Sequence, residues 1–553
     1  MNVSDAMVQL LKREGVKFLV CYPTNPLIES AAQAGIRTVI VRQERVGVHM
    51  ADAVARVSSG DTIGVFAMQK GPGIENSFGA VAQAYAESAP ILLLPAGYPR
   101  EAGGVDPNFN SLLNFQHVTK SVEQLVVPKA LPAVVRRAFS QLRSGRPRPV
   151  MIEFPSDVLD LDAPSIDAYR PPSRVRTAPD PVDVERAAQA LLKAERPVIY
   201  VGQGIHYAKA WPQLRRLAEL VEAPVATSLH GKSAFPETHP LSLGSGGYAT
   251  SRHLRHFLEV SDLIFGIGCS FTNTAFNVSM PPGGRFVHAT ADAADLNKEV
   301  GCEIGLAGDA GLTLDALLEV ITDQLAGKPR GRQRQVAANI ESVRAPWLQH
   351  WVPRLTSNAT PLSPYRVVSE LYRAVDLEQM IITHDAGSPR DQITPFWAST
   401  APLSYLGWGN TTQLGYGLGL ALGAKLIAPE KLCVWVCGDA AMGFTGMDFE
   451  TAVRERLPIL AIVFNNFCMA CDLDIMPEAT RRFRSTDIGG NYAELARALG
   501  GYGERVTRPE EIAPALKRGI ERTREGTPAL LEFITERATD ISRAAEGAAT
   551  ESH

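Results

Sequence analysis

The sequence predicts an α/β protein built from three doubly wound parallel-sheet domains. Three observations carry this expectation. At 553 residues the chain is too long for one hydrophobic core. Short apolar, β-branched runs alternate along it with amphipathic helical stretches, the pattern of strand–helix–strand crossovers. Two stretches of linker composition, "YRPPSRVRTAPDPVD" and "AGKPRGRQRQ", separate blocks at about 1–168, 180–326 and 355–540. The small, polar tail "AAEGAATESH" is expected to be disordered.

Composition excludes several classes of function. With 45% hydrophobic and 21% charged residues, the chain has the balance of an ordinary soluble protein. A net charge of −4, with no basic patch carrying interleaved aromatics, gives no reason to expect a nucleic-acid partner. No apolar run approaches the roughly 18 residues of a membrane span, and the N-terminal stretch reads as an amphipathic helix then a strand, without a signal-peptide core. Seven cysteines in this length form no disulfide framework, which fits a reducing cytoplasm. Cys468 and Cys471 make a lone C-x-x-C with no second pair or nearby histidines, so a zinc or redox site is not expected there.

The most informative stretch is "CVWVCGDAAMGFTGMDFETAVRERLPILAIVFNN", Cys433 to Asn466. "LCVWVCGD" reads as a buried strand ending at a glycine. From Thr445 to Arg456 the residues Met447, Phe449, Ala452 and Val453 recur at helical spacing, which predicts an amphipathic helix. "ILAIVFNN" then reads as a second buried strand, parallel to the first through a right-handed crossover. Asp439 and Asn466 would therefore share the carboxyl edge of one sheet, where open α/β sheets bind ligands. Two oxygen side chains beside free backbone N–H groups suit a hard divalent cation carrying a diphosphate.

This segment resembles the metal–diphosphate signature of thiamine diphosphate (ThDP) enzymes, in particular the acetolactate synthase-like group of large-subunit type. The resemblance covers nearly the whole chain, as pyrimidine-binding, central and diphosphate-binding domains in that order. It implies Asp439 and Asn466 as Mg²⁺ ligands with the backbone carbonyl of Cys468, and Gly438, Ala440 and Ala441 along the cofactor. In the first block, Glu44 opens a helix, where a carboxylate is favoured by the dipole alone. But "QERVGVHMADAVAR" is similar to the family's "HE…GHMADGYAR", which implies that Glu44 is the catalytic glutamate bonded to the cofactor's aminopyrimidine N1′. "QKGPGIENS" and "YPTNP" match cofactor loops, implying contacts from Pro72, Asn76 and Pro23. Thr24 and Asn25 replace glycines of the family pattern, and "DPNFNS" replaces another segment. Thr24, Asn25, Asn108 and Phe109 are therefore expected at an altered substrate pocket.

In the third block, "THDAGSPRDQ" resembles the diphosphate loop. It implies close backbone approach at Gly387 and donation from Ser388, with Arg390 either a charge for the ligand or a surface-turn residue. "GWGNTTQLGYGLGLALGA" implies the carbonyl of Thr412 as acceptor for the cofactor's amino group, and Leu414 as the wedge that bends it. In the central block Gly202-Gln203-Gly204 follows a strand but leaves the dinucleotide pattern incomplete, so FAD, ADP or coenzyme A there stays unassigned.

The resemblance implies an Mg²⁺- and ThDP-dependent enzyme that makes or breaks a C–C bond next to a carbonyl, a 2-oxo acid decarboxylase or carboligase of acetolactate synthase type. "NNFCMACDLDIMPEATRRFRSTD" departs from the family's substrate segment, which keeps two alternatives open. One is a 2-hydroxyacyl-CoA lyase or oxalyl-CoA decarboxylase-like enzyme; the other is a catalytically silent ThDP-fold binding protein. A cofactor touching the first and third blocks of different subunits implies a homodimer at least, with a homotetramer as its doubling.

Overall fold

The computed structural model describes residues 1–543; the tail "AAEGAATESH" lies outside the described residues. Three six-stranded sheets follow one another along the chain, and every strand pair within them is parallel. The first contains β1 (Phe18–Cys21), β2 (Arg37–Ile40), β3 (Gly64–Met68), β4 (Ile91–Gly97), β5 (Ser121–Gln124) and β6 (Val150–Pro155), in the order β2-β1-β3-β4-β6-β5. The central sheet contains β7 (Pro197–Val201), β8 (Val225–Ser228), β9 (Ser242–Gly246), β10 (Leu263–Ile267), β11 (Phe286–Thr290) and β12 (Ile304–Ala307), in the order β12-β11-β10-β7-β8-β9. The third contains β13 (Met380–His384), β14 (Tyr405–Leu406), β15 (Leu432–Gly438), β16 (Leu460–Asn465), β17 (Tyr502–Val506) and β18 (Ala529–Ile534), in the order β14-β13-β15-β16-β18-β17. The first and third sheets therefore share one topology, whereas the central sheet has the strand order of a dinucleotide fold.

Most of these strands are buried on both faces, as parallel sheets covered by helices must be. One hydrophobic core runs from the first domain into the third, joining Val46, Phe66 and Ile74 to Trp408, Tyr416 and Trp435. Its seam is the pair of helices Glu44–Val57 and Tyr416–Ile427. They approach closely because Gly419 and Gly423 sit one turn apart on the facing side. A Cβ on Gly419 would stand 2.3 Å from the His49 Cβ, and one on Gly423 would stand 2.3 Å from the Met50 carbonyl oxygen. This seam sets where Glu44 stands relative to the third domain.

Two local features differ from the sequence expectation. The helix expected over Thr445 to Arg456 is two short helices, Asp439–Thr445 and Phe449–Arg454, joined by a tighter turn. The turn forms because Asp448 is buried and accepts from the Arg42 N–H and the Thr451 hydroxyl, both at 2.8 Å. Between the second and third blocks runs the helix Gln333–Leu355, which contains Pro346 and Pro353. It docks through Trp347 and Trp351 onto Tyr365 and Phe396 of the third domain. Among the described residues no helix is long and apolar enough to cross a membrane.

Candidate active site

In the third sheet the strand order reverses between β13 and β15, and the loops leaving those strands open a cleft of about 1310 Å³. Gly387, Ser388, Thr412, Leu414, Gly438, Asp439, Ala440, Ala441, Asn466 and Cys468 all line it. Ten residues singled out from four separate stretches of sequence thus meet at one sheet edge.

Asp439 follows β15 directly and is buried. Its Oδ1 accepts from the Ala440 N–H at 2.9 Å, while its Oδ2 has no partner. Burial raises its pKa to about 6, against the opposing pull of backbone N–H groups from Ala440, Cys468, Asn466 and Phe467. A buried carboxylate oxygen without a donor is costly as it stands and suits a cation.

The two asparagines after β16 divide the work. Asn465 turns into the sheet, donating to the Gly490 carbonyl at 3.1 Å and to Glu532 at 2.7 Å. Asn466 lines the cleft, and its Oδ1 accepts from the Cys468 N–H at 2.9 Å. Phe467 between them has φ of 56°, a left-handed turn that folds Cys468 back toward Asp439. Among the described residues no cluster of three or more His, Cys, Asp or Glu side chains could hold a metal. The donor set at this edge is one carboxylate, one amide oxygen and backbone carbonyls, which fits a hard cation that keeps phosphate and water ligands.

The loop after β13 is held by Asp385, a residue the sequence reading passed over. Its buried carboxylate accepts from the N–H groups of Ala386, Gly415 and Gly417 and from the Trp435 indole, at 2.8 to 3.0 Å. This ties the loop after β13 to the start of helix Tyr416–Ile427. Desolvation still outweighs those donors and pushes the Asp385 pKa up to about 6. Gly387 has φ of 81°, which a side chain would resist. Arg390 does not sit on a surface turn. It is buried, doubly bonded to Asp391 at 2.9 Å, with its guanidinium 4.8 Å from the centre of the Phe276 ring.

In the first domain Glu44 opens helix Glu44–Val57 and is 5% exposed. Asn76 donates to its Oε2 at 3.3 Å, and a Cβ on Gly73 would lie 3.4 Å from its Oε1. Glu44, the turn at Pro72 and Asn76 therefore form one group, with Pro72 and Asn76 exposed around it. Pro23 and Thr24 are exposed in the loop after β1, with Thr24 at φ of 74°. Asn25, expected at the substrate pocket, turns inward. Its amide donates to the Met68 and Leu94 carbonyls, both at 2.9 Å, and accepts from the Leu27 N–H, so it braces the loop after β1 instead. Asn108 donates to the Ala102 carbonyl at 3.0 Å, and Phe109 packs on the shared core. No first-domain residue lines the third-domain cleft, whose other wall is Tyr248 and Phe276 of the central domain.

A second cleft, of about 790 Å³, lies at the reversal point of the central sheet, between β7 and β10. The glycines of "GQG" have a packing reason there. A Cβ on Gly202 would lie 2.3 Å from the Gly268 carbonyl oxygen, and one on Gly204 would lie 2.6 Å from the Gly268 Cα. Arg146 of the first domain closes one side of this cleft through its ion pair with Asp295 at 2.7 Å.

Three doubly wound domains, two of one topology, with an oxygen-donor cleft at the switch point of the last, define a class of α/β protein with a ligand-binding sheet edge. Residues 1–124 match the N-terminal TPP-binding domain of thiamine pyrophosphate enzymes, 184–317 their central domain and 385–533 their C-terminal TPP-binding domain. The chain is 28% identical to the probable acetolactate synthase large subunit of Methanocaldococcus jannaschii, over 97% of this chain and 92% of that protein. It is 27% identical to the acetolactate synthase isozyme 3 large subunit of Escherichia coli K12, over 94% and 92%. It is 28% identical to the glyoxylate carboligase of Escherichia coli O157:H7, over 99% and 95%. The chain belongs to the thiamine pyrophosphate enzyme family and is a ThDP-dependent decarboxylase or carboligase.

Proposed function

We propose that this enzyme is an Mg²⁺-dependent carboligase that joins two small 2-oxo acids, with the reaction site shared between two copies of the chain. The observation that carries the metal reading is the buried, unpartnered Oδ2 of Asp439 beside Asn466 and Cys468. ThDP, when bound, supplies the stabilised acyl-anion chemistry that such reactions need. The chain's own groups bind and orient. Asp439, the Asn466 amide oxygen and the Cys468 carbonyl hold Mg²⁺, while backbone at Gly387, Ala440 and Ala441 and the Ser388 hydroxyl receive the diphosphate. With ThDP bound, the Thr412 carbonyl would accept from the cofactor's amino group, Leu414 would pack against it from the cleft wall, and Glu44 would exchange a proton at N1′. The curated relatives include acetolactate synthases and a glyoxylate carboligase, so pyruvate and glyoxylate are the first substrates to test.

Two facts support a shared site. The Asp439 cleft takes no wall from the first domain of its own chain, and Glu44 lies buried beneath a surface that exposes Pro72 and Asn76. Large apolar side chains are also exposed near both halves: Phe78 at 37%, Phe444 at 46% and Met447 at 42%. A two-fold dimer would bring one chain's Glu44 patch to the other's cleft. Subunit mixing tests this. At limiting Mg²⁺ and ThDP, where each is inactive alone, Glu44→Ala and Asp439→Ala chains should recover roughly a quarter of wild-type activity after random exchange, because about half the dimers are mixed and each carries one intact site. Verified exchange with no recovery would show that each chain builds its own site. Chromatography of products from pyruvate, glyoxylate and their mixtures decides the substrate; release of an aldehyde without any ligated product would refute the carboligase assignment.

A further inference from the structure

The five residues Gly409 to Gln413 form a strap between β14 and helix Tyr416–Ile427, and Thr412 faces the cleft from it. The strap is not held by its own domain's sheet. It is held by the C-terminal end of the first-domain helix Pro72–Ala86. Glu87, fully buried, accepts from the N–H groups of Gly409 at 3.3 Å, Asn410 at 3.0 Å and Thr411 at 3.5 Å. Gln83 donates to the Thr411 carbonyl at 2.9 Å, while its Oε1 accepts from the Thr411 hydroxyl at 2.5 Å and the Gln413 N–H at 3.1 Å. The Asn410 amide donates to the Ala86 carbonyl at 2.7 Å. Gly79, one turn earlier, leaves the space in which Gln413 seats, since a Cβ there would lie 2.6 Å from its Nε2. Glu87 also accepts from Gln83 at 2.7 Å and meets the His230 ring of the central domain.

We propose that Gln83 and Glu87 are positioning residues that fix the Thr412 carbonyl, and with it Leu414, before the cofactor arrives. The inference rests on the ThDP reading of the third-domain cleft. Its physical basis is that both neighbours of Thr412 are pinned by buried, directional bonds, which leaves the peptide between them little freedom. A buried carbonyl or N–H that loses its partner must find another, so removing Gln83 frees the strap to shift. A displacement near 1 Å at a group that orients the reacting centre costs about 10²-fold in rate. Asp439, Asn466 and the Gly387 loop do not touch the clamp, so cofactor affinity and orientation separate. The same helix carries Asn76 against Glu44 at its other end, so in the shared-site dimer one rod would link the Glu44 of one site to the Thr412 strap of the other.

The test uses Gln83→Met, which keeps the length and removes every polar bond, and Glu87→Gln, which keeps the shape and removes the charge. ThDP and Mg²⁺ binding by calorimetry should change by less than about threefold, while deuterium exchange at C2 of bound ThDP and kcat fall about 10- to 100-fold and KM stays near wild type. Amide exchange at Thr411 and Gln413 should quicken in the variants. Wild-type C2 exchange and wild-type kcat in Gln83→Met would overturn the proposal. A wild-type protein that does not bind ThDP would instead remove the cofactor reading and leave the clamp without a purpose. Should both variants fail to fold, wild-type amide exchange without cofactor decides. Slow exchange at the bonded amides of Asn410, Thr411 and Gln413, matching β15, supports a preformed clamp, and fast exchange there overturns it.

Discussion

Gly419→Ala sets two effects of known size against each other. Alanine is a better helix former than glycine by about 1 kcal/mol, so at an open helical site the substitution stabilises. At position 419 the added Cβ meets the His49 Cβ at 2.3 Å and the Val46 carbonyl oxygen at 2.9 Å. The first contact is more than 1 Å short of an ordinary carbon–carbon separation of about 3.5–4.0 Å, and neither opposing atom is the free end of a flexible chain. The helices must part, and overpacking of this kind costs about 1–3 kcal/mol. The helix-propensity gain offsets part of that, leaving a net loss of about 0–2 kcal/mol, against a gain of about 1 kcal/mol at an open helical site. Because Glu44 opens the displaced helix, kcat should fall by about tenfold or more with little change in ThDP affinity. Gly443→Ala is the matched control: it is also helical, and nothing lies within 4 Å of the new Cβ. Urea midpoints and steady-state kinetics on the two variants are the assay. Equal stability of Gly419→Ala and Gly443→Ala would refute the claim that the seam is close-packed through glycine.

Three further outcomes follow from the same geometry. Glu44→Gln should still bind ThDP but exchange the C2 proton about 10²–10⁴-fold more slowly; wild-type exchange would reduce Glu44 to a helix-start carboxylate. Asp439→Ala and Asn466→Ala should fold normally yet need far more Mg²⁺ and ThDP for half-maximal activity, and unchanged calorimetric titrations would remove the metal assignment. Asp448 has its pKa raised by burial from 3.8 to about 6, so the folded state binds its proton more tightly than the unfolded chain does. Its contribution is fully favourable below pH 4 and is lost as pH rises through 6. Asp448→Asn should therefore be more stable than wild type at pH 7.5, by about 1–3 kcal/mol, and gain nothing at pH 4. A pH-independent difference in thermal midpoint would contradict this.

The third-domain cleft was legible in sequence because its parts are punctuated locally. A buried strand that stops at Gly438-Asp439, another that stops at Asn465-Asn466, and a glycine-bearing loop after β13 each announce a sheet edge within a few residues. What stayed hidden depends on partners far along the chain. Asp385 looks like any turn aspartate until Gly415, Gly417 and Trp435 converge on it. Glu87 looks like a helix-end carboxylate until the strap more than 300 residues later reaches it. Arg390 carries no local signal for burial, because Asp391 and a ring from another domain neutralise and cover it. Asn25 is the opposite case: standing where the family pattern has a glycine, it is expected at the pocket, and the backbone carbonyls of Met68 and Leu94 hold its amide instead.

The common strand order of the first and third sheets gives the molecule a division of labour. In the first sheet the loops after β1 and β3 carry Pro23 and Pro72; in the third, the loops after β13 and β15 carry Gly387 and Asp439. These are the same two architectural positions, used twice. One copy offers a buried carboxylate and exposed loop residues, a setting suited to an organic ring, and the other offers oxygen donors and bare backbone suited to a charged tail. A single sheet edge could grip only one end of such a ligand, whereas two edges of one topology let each specialise, one toward ring chemistry and the other toward charge.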